Sequence, residues 1–294
     1  MAGEIPETWT VSSTLAWTRG YLERKGDENP RVSAQWLLSA ATKLTRMELY
    51  TNFDKPLTPD ELASLKAMLL RRVAGEPLQY ISGRAPFRTI EVEVVPGVLI
   101  PRPETEVLVG EALAFLPKDE ERLVLDLCCG SGCIACAVAT ERPAASVIAA
   151  DISPEAVAVT KRNVSALGLE KRVTVVQGDL FEAVPADLKG FIDVIITNPP
   201  YVPTAVVDGL SDEVVKFEPR LALDGGADGL DVFRAILEPA QAFLAPGGVL
   251  TAELHETCLE AASALAEDAG FATRIVDDLA GKPRVLVAWR ESEE

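Results

Sequence analysis

Apolar residues follow two different spacings along the chain. Up to about residue 75 they recur three or four positions apart, which predicts helices interrupted at residues 26–30 and 56–59. Thr58 or Asp60 is well placed to cap the helix that follows the second break. We therefore expect residues 1–75 to form a small helical bundle, and this stretch carries no catalytic constellation of its own.

Downstream of residue 100, short apolar runs rich in β-branched residues alternate with helical patterns. Strands are predicted at residues 123–127, 146–150, 173–176, 191–197, 248–253 and 284–289, and helices near 133–141, 154–167, 232–244 and 256–269. A further helix is expected to begin near Pro103. This alternation predicts an α/β, Rossmann-like domain over residues 101–294, with a mostly parallel sheet that binds ligands at the carboxyl ends of its strands.

Residues 76–100 separate these two patterns. Residues 89–94 alternate between polar and apolar, and Pro96-Gly97 follows them as a turn signal. We expect a β-hairpin here that links the helical bundle to the α/β domain.

Residues able to bind a ligand follow four successive predicted strands. The first strand runs into a glycine turn, residues 126–132, which opens a helix with free backbone N–H groups. Asp151 ends the second strand and is able to accept hydrogen bonds from both hydroxyls of a ribose, and Asp179 ends the third and is able to accept a hydrogen bond from an adenine amino group. Because the G-x-G-x-x-G pattern of dinucleotide sites is absent, we expect a cofactor other than NAD.

The fourth strand ends in Asn198-Pro199-Pro200-Tyr201. Two consecutive prolines remove two backbone donors and hold the preceding residues extended, so the strand ladder must stop here. The corner offers an amide side chain, unpaired carbonyls and an aromatic ring, which suit a planar group that donates two N–H bonds. A carboxamide and the exocyclic amine of a nucleobase both fit, and the motif taken alone is also consistent with a stiff turn.

Charge favours the carboxamide over the nucleobase. The chain carries 28 basic and 45 acidic residues, for a net charge of −17. Residues 1–75 hold 10 basic and 9 acidic residues, so the remainder has a net charge of −18. Since such a surface repels phosphates, we expect no stable nucleic acid partner.

Four of the five cysteines, Cys128, Cys129, Cys133 and Cys136, lie close together. They do not resemble a disulfide framework, and their spacing is not one recognised for zinc, so we expect reduced thiols that fill small apolar spaces and no metal. The hydrophobic fraction of 48% is typical of a soluble globular protein. Without a candidate membrane span or signal peptide in the sequence, we expect a cytoplasmic protein with no membrane partner.

Together these motifs resemble the release-factor glutamine N5-methyltransferase family (HemK/PrmC type), which belongs to the class I S-adenosylmethionine-dependent methyltransferases. The resemblance covers nearly the whole chain and includes five segments besides residues 198–201. They are Gln79-Tyr80-Ile81-x-Gly83, Ile100-Pro101-Arg102-Pro103-Glu104-Thr105-Glu106, Phe217-Glu218-Pro219-Arg220, Gly225-Gly226-x-Asp228-Gly229-Leu230 and Asp278-Leu279-Ala280-Gly281. One departure is the pair Cys128-Cys129, where family members usually have a glycine and a threonine.

The resemblance implies transfer of a methyl group from S-adenosyl-L-methionine to the side-chain amide nitrogen (N5) of the glutamine in the Gly-Gly-Gln motif of peptide chain release factors, with S-adenosyl-L-homocysteine as the product. The implied catalytic residues are Asn198, Pro199 and Tyr201. The implied cofactor-binding residues are Asp126, Cys128, Cys129, Gly130, Ser131, Gly132, Asp151, Asp179, Leu180 and Asn198. The implied substrate-binding residues are Arg102, Glu104, Asn198, Pro199, Pro200 and Tyr201.

Three other interpretations stay open at this point. The substrate is a glutamine of a ribosomal protein, or it is adenine N6 in a nucleic acid, or the chain is a non-catalytic adenosyl-binding module that has kept the fold. Phe87 is expected beside cofactor and substrate, whereas Glu218, Glu253 and His255 are expected near the site without bonding to the reacting atoms. We further expect a monomer whose helical bundle docks the protein substrate.

Overall fold

The computed structural model describes residues 8–290, and the chain divides into two compact units, Met1–Gly83 and Arg84–Glu294. Residues 76–83, part of the linker predicted from the sequence, group with the first unit, and the hairpin groups with the second. The domain bounds 1–75, 76–100 and 101–294 stay a prediction, since contacts alone do not define domains that fold separately.

The first unit is a helical bundle, as predicted. Its helices are α1 (Val11–Arg24), α2 (Pro30–Thr42), α3 (Arg46–Thr51), α4 (Pro59–Val73) and α5 (Leu78–Ser82). Leu22, Leu37, Leu38 and Leu49 are at most 1% exposed and form the centre of its core. The short helices α3 and α5 were not predicted because five or six residues do not display a helical period.

The predicted cap of α4 is confirmed at Thr58. Its hydroxyl accepts the backbone N–H of Glu61 at 3.2 Å, and the Glu61 carboxylate accepts the backbone N–H of Thr58 at 2.7 Å. Asp60 lies inside the first turn, where its charge complements the helix dipole. This capping box satisfies two donors that the helix itself leaves unpaired.

The second unit begins with the hairpin and continues as an α/β domain. Its strands are β1 (Arg84–Phe87), β2 (Ile90–Glu93), β3 (Arg122–Leu127), β4 (Ala145–Asp151), β5 (Val173–Gln177), β6 (Ile192–Thr197), β7 (Leu244–Glu253), β8 (Ala272–Asp277) and β9 (Pro283–Trp289). Its α-helices are α6 (Pro103–Leu113), α7 (Cys133–Glu141), α8 (Pro154–Ala166), α9 (Thr204–Val207), α10 (Asp212–Phe217), α11 (Asp231–Phe243) and α12 (Leu259–Asp268).

Seven of these strands form one sheet in the order β5-β4-β3-β6-β7-β9-β8. Neighbouring strands from β5 to β7 are parallel, and β9 runs antiparallel to both of its neighbours. The chain moves outwards from β3 to β5 on one side and from β6 to β7 on the other. The loops after β3 and β6 therefore diverge and leave a crevice, which is where α/β sheets of this kind bind ligands.

The six strands predicted for the sheet are all confirmed, and β8 was missed. Its residues are mostly half-buried because β8 lies at the edge of the sheet, so its sequence lacks the continuous apolar run of the central strands. A hydrogen bond joins β2 to α8: Asn163 Oδ1 accepts the backbone N–H of Glu93 at 2.7 Å. Within residues 8–290, the helices are too short or too polar to cross a membrane.

Candidate active site

A cavity of about 700 Å³ lies at the carboxyl ends of β3 to β6, a size that is ordinary for a small-molecule site. Ten of the residues predicted for the site line it: Arg102, Cys128, Cys129, Gly130, Ser131, Asp151, Asp179, Leu180, Asn198 and Pro200. The structure thus brings together residues from four strand ends and from the N-terminus of α6.

Five other predicted site residues do not line this cavity. Asp126 and Gly132 are the first and last residues of the glycine turn, Asp126 is fully buried, and Pro199 is buried within the corner. The Tyr201 hydroxyl lies 3.1 Å from Glu253 Oε1 at the end of β7, and Glu104 lies in the first turn of α6. Their direct roles in binding stay predictions.

The glycine turn after β3 depends on backbone conformations that few side chains tolerate. Gly130 and Gly132 have φ angles of +56° and +74°. A Cβ atom at Gly132 would lie 2.9 Å from the hydroxyl of Thr160, so this position has no room for a side chain. Cys128 also has a positive φ, +60°, which is a strained conformation for a residue with a side chain.

Asp126 joins this turn to the helix that follows it. The residue is fully buried, and its Oδ2 accepts the backbone N–H of Ala135 at 3.0 Å. Its Oδ1 has no hydrogen-bond partner among residues 8–290. Burial raises the pKa of Asp126 well above its ordinary value, since the charged form loses its hydration.

Asp151 connects the ends of β3 and β4 on the cavity wall. Its Oδ2 accepts the Gly130 N–H at 2.8 Å and its Oδ1 accepts the Ser153 N–H at 2.9 Å. Burial raises the pKa of Asp151, and these backbone hydrogen bonds oppose the rise. Each carboxylate oxygen keeps a second acceptor site, so Asp151 is able to bind hydroxyl donors in the cavity.

The corner at residues 198–201 is supported from two directions. On one side, Val202 donates its N–H to Leu223 O at 2.8 Å and accepts the N–H of Gly225 at 2.8 Å, which closes residues 203–224 into a loop. On the other, the hydroxyl of Thr197 donates to the Leu127 carbonyl at 2.9 Å and joins the end of β6 to that of β3.

A chain of hydrogen bonds runs from Asn198 to Tyr201 through two residues outside the motif. Asn198 Nδ2 lies 3.2 Å from Thr105 Oγ1, Thr105 Oγ1 lies 2.6 Å from Glu253 Oε2, and the Tyr201 hydroxyl lies 3.1 Å from Glu253 Oε1. Thr105 and Glu253 are 2% and 1% exposed. Burial raises the pKa of Glu253 and of Tyr201, and the two hydroxyls that donate to Glu253 oppose the rise of its pKa.

The sequence did not predict a role for Thr105 in the site, and it predicted Glu253 only as a residue near the site. Thr105 comes from the first turn of α6, and Glu253 is the last residue of β7. The available signal was a carboxylate at the end of the apolar run 248–253, because a charged residue in a buried strand needs partners.

Arg102 and Glu218 form an ion pair beside the cavity. Arg102 Nη2 lies 2.5 Å from Glu218 Oε1, and the Glu218 side chain is 2% exposed. Burial raises the pKa of Glu218, while the charge and hydrogen bond of Arg102 oppose the rise. The pair joins the start of α6 to the segment after α10 and lies beside the cavity.

His255 and Phe87 do not line the cavity. The His255 ring lies 6.5 Å from the Tyr201 ring, centroid to centroid, and its Nδ1 lies 2.9 Å from the Thr257 hydroxyl. Phe87 is 1% exposed, within the hairpin strand β1. The place of Phe87 beside cofactor and substrate stays a prediction.

The five cysteines are free thiols, and Cys128, Cys129 and Cys133 line the cavity. Burial, with the nearby carboxylates of Asp151 and Asp126 as further causes, raises the pKa of Cys128 far above its ordinary value. Burial likewise raises the pKa of Cys136 to about 12. The thiols of Cys128 and Cys136 therefore stay protonated at neutral pH and are poor nucleophiles.

We expect iodoacetamide at pH 8 to alkylate Cys128 at least about tenfold more slowly than a free cysteine in a peptide, because a raised pKa lowers the thiolate fraction tenfold per unit. Timed labelling followed by peptide mass spectrometry measures the rate, and the urea-unfolded protein serves as the reference with all five thiols accessible. Labelling of the folded protein at the unfolded rate would contradict the assigned environment.

The mostly parallel seven-stranded sheet, its glycine turn and the cavity at its switch point define a class I methyltransferase. A solved methyltransferase from Pyrococcus furiosus shares this fold: it is 17% identical with a TM-score of 0.52, over 78% of this chain and 98% of that one. The family pattern "Methyltransferase small domain" matches residues 105–226, and "PrmC N-terminal domain" matches residues 13–83.

Two curated relatives are more specific. The release factor glutamine methyltransferase of Geobacter sulfurreducens is 50% identical over 251 residues, which cover 85% of this chain and 86% of that protein. That of Moorella thermoacetica is 41% identical over 287 residues, 97% of this chain and 100% of that protein. The chain belongs to the release factor glutamine methyltransferase family.

Proposed function

We propose that this protein transfers a methyl group from S-adenosyl-L-methionine to the side-chain nitrogen N5 of the glutamine in the Gly-Gly-Gln motif of peptide chain release factors. The observation that carries the proposal is the orientation of Asn198, on the wall of the cavity. Its Nδ2 is held by Thr105, and among residues 8–290 its Oδ1 has no hydrogen-bond donor. An acceptor is therefore available where a carboxamide N–H has to be held.

The donor and acceptor set of the cavity fits an adenosyl cofactor. Asp151 and Asp179 lie at adjacent strand ends, where their carboxylates are able to accept from ribose hydroxyls and from an adenine amino group. Ile152 and Leu180 supply apolar surface beside them for a purine ring. When bound, S-adenosylmethionine supplies a methyl group on a positively charged sulfur, which is a good leaving group.

The chain's own contribution is to align a weak nucleophile. The nitrogen of a carboxamide reacts poorly because its lone pair is delocalised into the carbonyl. In our proposal Asn198 Oδ1 and the Pro199 carbonyl each accept one N–H of the glutamine, which orients its nitrogen towards the methyl group and stabilises the positive charge that develops there. Tyr201 stiffens the corner, and the proton of the methylated amide leaves to water.

The test is methylation of a purified release factor by the purified protein with S-adenosylmethionine. We expect a mass gain of one methyl group, located by fragmentation on the glutamine of the Gly-Gly-Gln motif. A release factor in which that glutamine is replaced by asparagine is the matched control and stays unmodified. A wild-type release factor that gains no methyl group at saturating enzyme and cofactor would refute the proposal.

We also propose that the helical unit docks the protein substrate, through an apolar groove of about 230 Å³ lined by Trp9, Trp17, Tyr21, Leu62 and Leu70 among others. Trp17 and Leu70 are 42% and 58% exposed, which is unusual for side chains of this size. Residues 1–75 carry a net charge of +1, so this unit does not add to the acidity of the rest of the chain.

Leu70→Glu is expected to raise KM for the release factor about tenfold, because a charge in a docking groove costs on the order of 1.4 kcal/mol of binding. The kcat and the dissociation constant of the cofactor should stay within twofold. Met47→Glu is the matched control, since Met47 is 74% exposed on α3 and outside the groove. Equal KM values for both variants in steady-state assays would contradict the docking role.

A further inference from the structure

We propose that Thr105 and Glu253 are positioning residues that fix the amide of Asn198 in its catalytic orientation, an inference that rests on the function proposed above. Neither residue needs to touch cofactor or substrate for this role. They act through Asn198, and Glu253 also holds Tyr201, so that one buried carboxylate controls both ends of the Asn-Pro-Pro-Tyr corner.

Three separate elements meet at this carboxylate. Thr105 belongs to α6, Glu253 to the end of β7, and Tyr201 to the segment after β6, and Thr105 in turn contacts Asn198 of that same segment. The contacts therefore join residues 93 and 148 positions apart in the chain. Such a junction is rigid only when every donor finds an acceptor, because an unpaired buried polar group is costly.

The direction of each hydrogen bond follows from the chemistry of a carboxylate. An ionised carboxylate only accepts hydrogen bonds, so the hydroxyls of Thr105 and Tyr201 must both donate to Glu253. Thr105 has then used its single hydrogen and offers Asn198 only a lone pair. An amide nitrogen donates to a lone pair whereas an amide oxygen is repelled by it, so Nδ2 faces Thr105 and Oδ1 faces the cavity.

The charged groups around Glu253 bear on its ionisation. Burial is the main influence that opposes the charged form, and Glu104 on α6 opposes it as well. The hydrogen bonds from Thr105 and Tyr201 favour the charged form, as does Arg284 on β9. Arg284 itself lies 3.5 Å from Asp278, an ion pair near the same end of the sheet.

Without this chain of contacts the amide of Asn198 has no preferred direction. Rotation by 180° about the Cβ–Cγ bond of Asn198 exchanges the positions of Oδ1 and Nδ2 and hardly changes the shape of the side chain. The rotated amide presents an N–H group to the N–H of the glutamine, which removes the acceptor that aligns the nucleophile. The substrate is then bound but misaligned, so the effect falls on kcat rather than on KM.

The experiment compares Thr105→Val with Thr105→Ser. Valine keeps the shape of threonine but removes the hydroxyl, and serine keeps the hydroxyl. We expect Thr105→Val to lower kcat about 10- to 100-fold, with KM and cofactor affinity within twofold, and Thr105→Ser to recover most of the activity. Thr18→Val is the matched control, because Thr18 is fully buried and its hydroxyl has no hydrogen-bond partner among the described residues. The kcat of the Thr18→Val variant should equal that of the wild type.

A second measurement does not depend on activity. The side-chain NH₂ signals of Asn198, assigned by their loss in Asn198→Ala, are recorded by NMR. We expect the side-chain NH₂ hydrogens of Asn198 to exchange with water at least about tenfold more slowly in wild type and in Thr105→Ser than in Thr105→Val. Wild type and Thr105→Ser keep the hydroxyl that accepts the Nδ2 hydrogen bond, whereas Thr105→Val does not.

The outcomes separate the two proposals. Thr105→Val with wild-type kcat, or Thr105→Ser as impaired as Thr105→Val, overturns the positioning role while methyl transfer by wild type upholds the function. If the wild type methylates no release factor, the proposed function fails, and the exchange rates decide the positioning role alone: equal rates in wild type and Thr105→Val overturn it.

Discussion

Asn198→Ala is expected to lower kcat for release factor methylation about 100- to 1,000-fold, the range found when one group that stabilises developing charge is removed from an active site. The substitution removes the Oδ1 acceptor that lies free on the cavity wall. Because most of the cavity lining is unchanged, binding of S-adenosylhomocysteine should weaken less than about tenfold. Single-turnover methyl transfer and calorimetric titration measure the two effects separately.

Asn29→Ala is the matched control for this substitution. Asn29 is exposed before α2, and its side chain makes no capping hydrogen bond there. The variant should transfer methyl groups at the wild-type rate. If Asn198→Ala kept more than a tenth of the wild-type kcat, alignment of the substrate glutamine by the Asn198 side chain would not account for the rate of methyl transfer.

Gly225→Ala is expected to have the second large effect, because it displaces the backbone of the catalytic corner. An added Cβ at Gly225 would lie 2.7 Å from the Pro200 carbonyl oxygen and 2.7 Å from Tyr201 Cα, and both are main-chain atoms that do not swing aside. We expect kcat to fall about 100-fold through misalignment. The free energy of unfolding should fall by about 1–3 kcal/mol through overpacking, measured by urea denaturation.

Gly110→Ala serves as the control in the same unit. Gly110 lies in α6, and a Cβ there would approach only the end of the Arg88 side chain, at 3.8 Å. Alanine in the middle of a helix is expected to stabilise the protein by about 0.5–1 kcal/mol and to leave kcat unchanged. A Gly225→Ala protein with the activity of Gly110→Ala would show that the corner tolerates displacement.

The fold and the outline of the site were predictable because both depend on short stretches of sequence. Buried parallel strands are continuous apolar runs, and the residue after each run lies at the ligand-binding edge of the sheet. This reasoning identified Asp151, Asp179 and Asn198, and all three line one cavity. The same logic failed at β8, since an edge strand buries too little for its apolar residues to form a continuous run.

Contacts between distant segments were beyond the reach of sequence patterns. Thr105 lies in an acidic first turn, where Glu104 and Glu106 are explained by the helix dipole and the threonine attracts no notice. Its importance follows from Glu253, 148 residues later, and neither residue has a local pattern that indicates the other. The side-chain direction of Phe87 was likewise undetermined, because alternation in a hairpin shows which face a residue occupies but not what covers that face.

The loop at residues 203–224 has its two ends joined by main-chain hydrogen bonds, next to the corner at residues 198–201. Val202 is hydrogen-bonded to both Leu223 and Gly225, so the two ends of the loop are held next to the corner by the main chain. Insertions in a loop whose ends are already joined cost little, since closure entropy grows only slowly with length. Leu221, 60% exposed at the cavity rim, belongs to this loop. Substitutions in this loop outside residues 217–220 are therefore expected to change the rim of the cavity and to leave the corner at residues 198–201 in place.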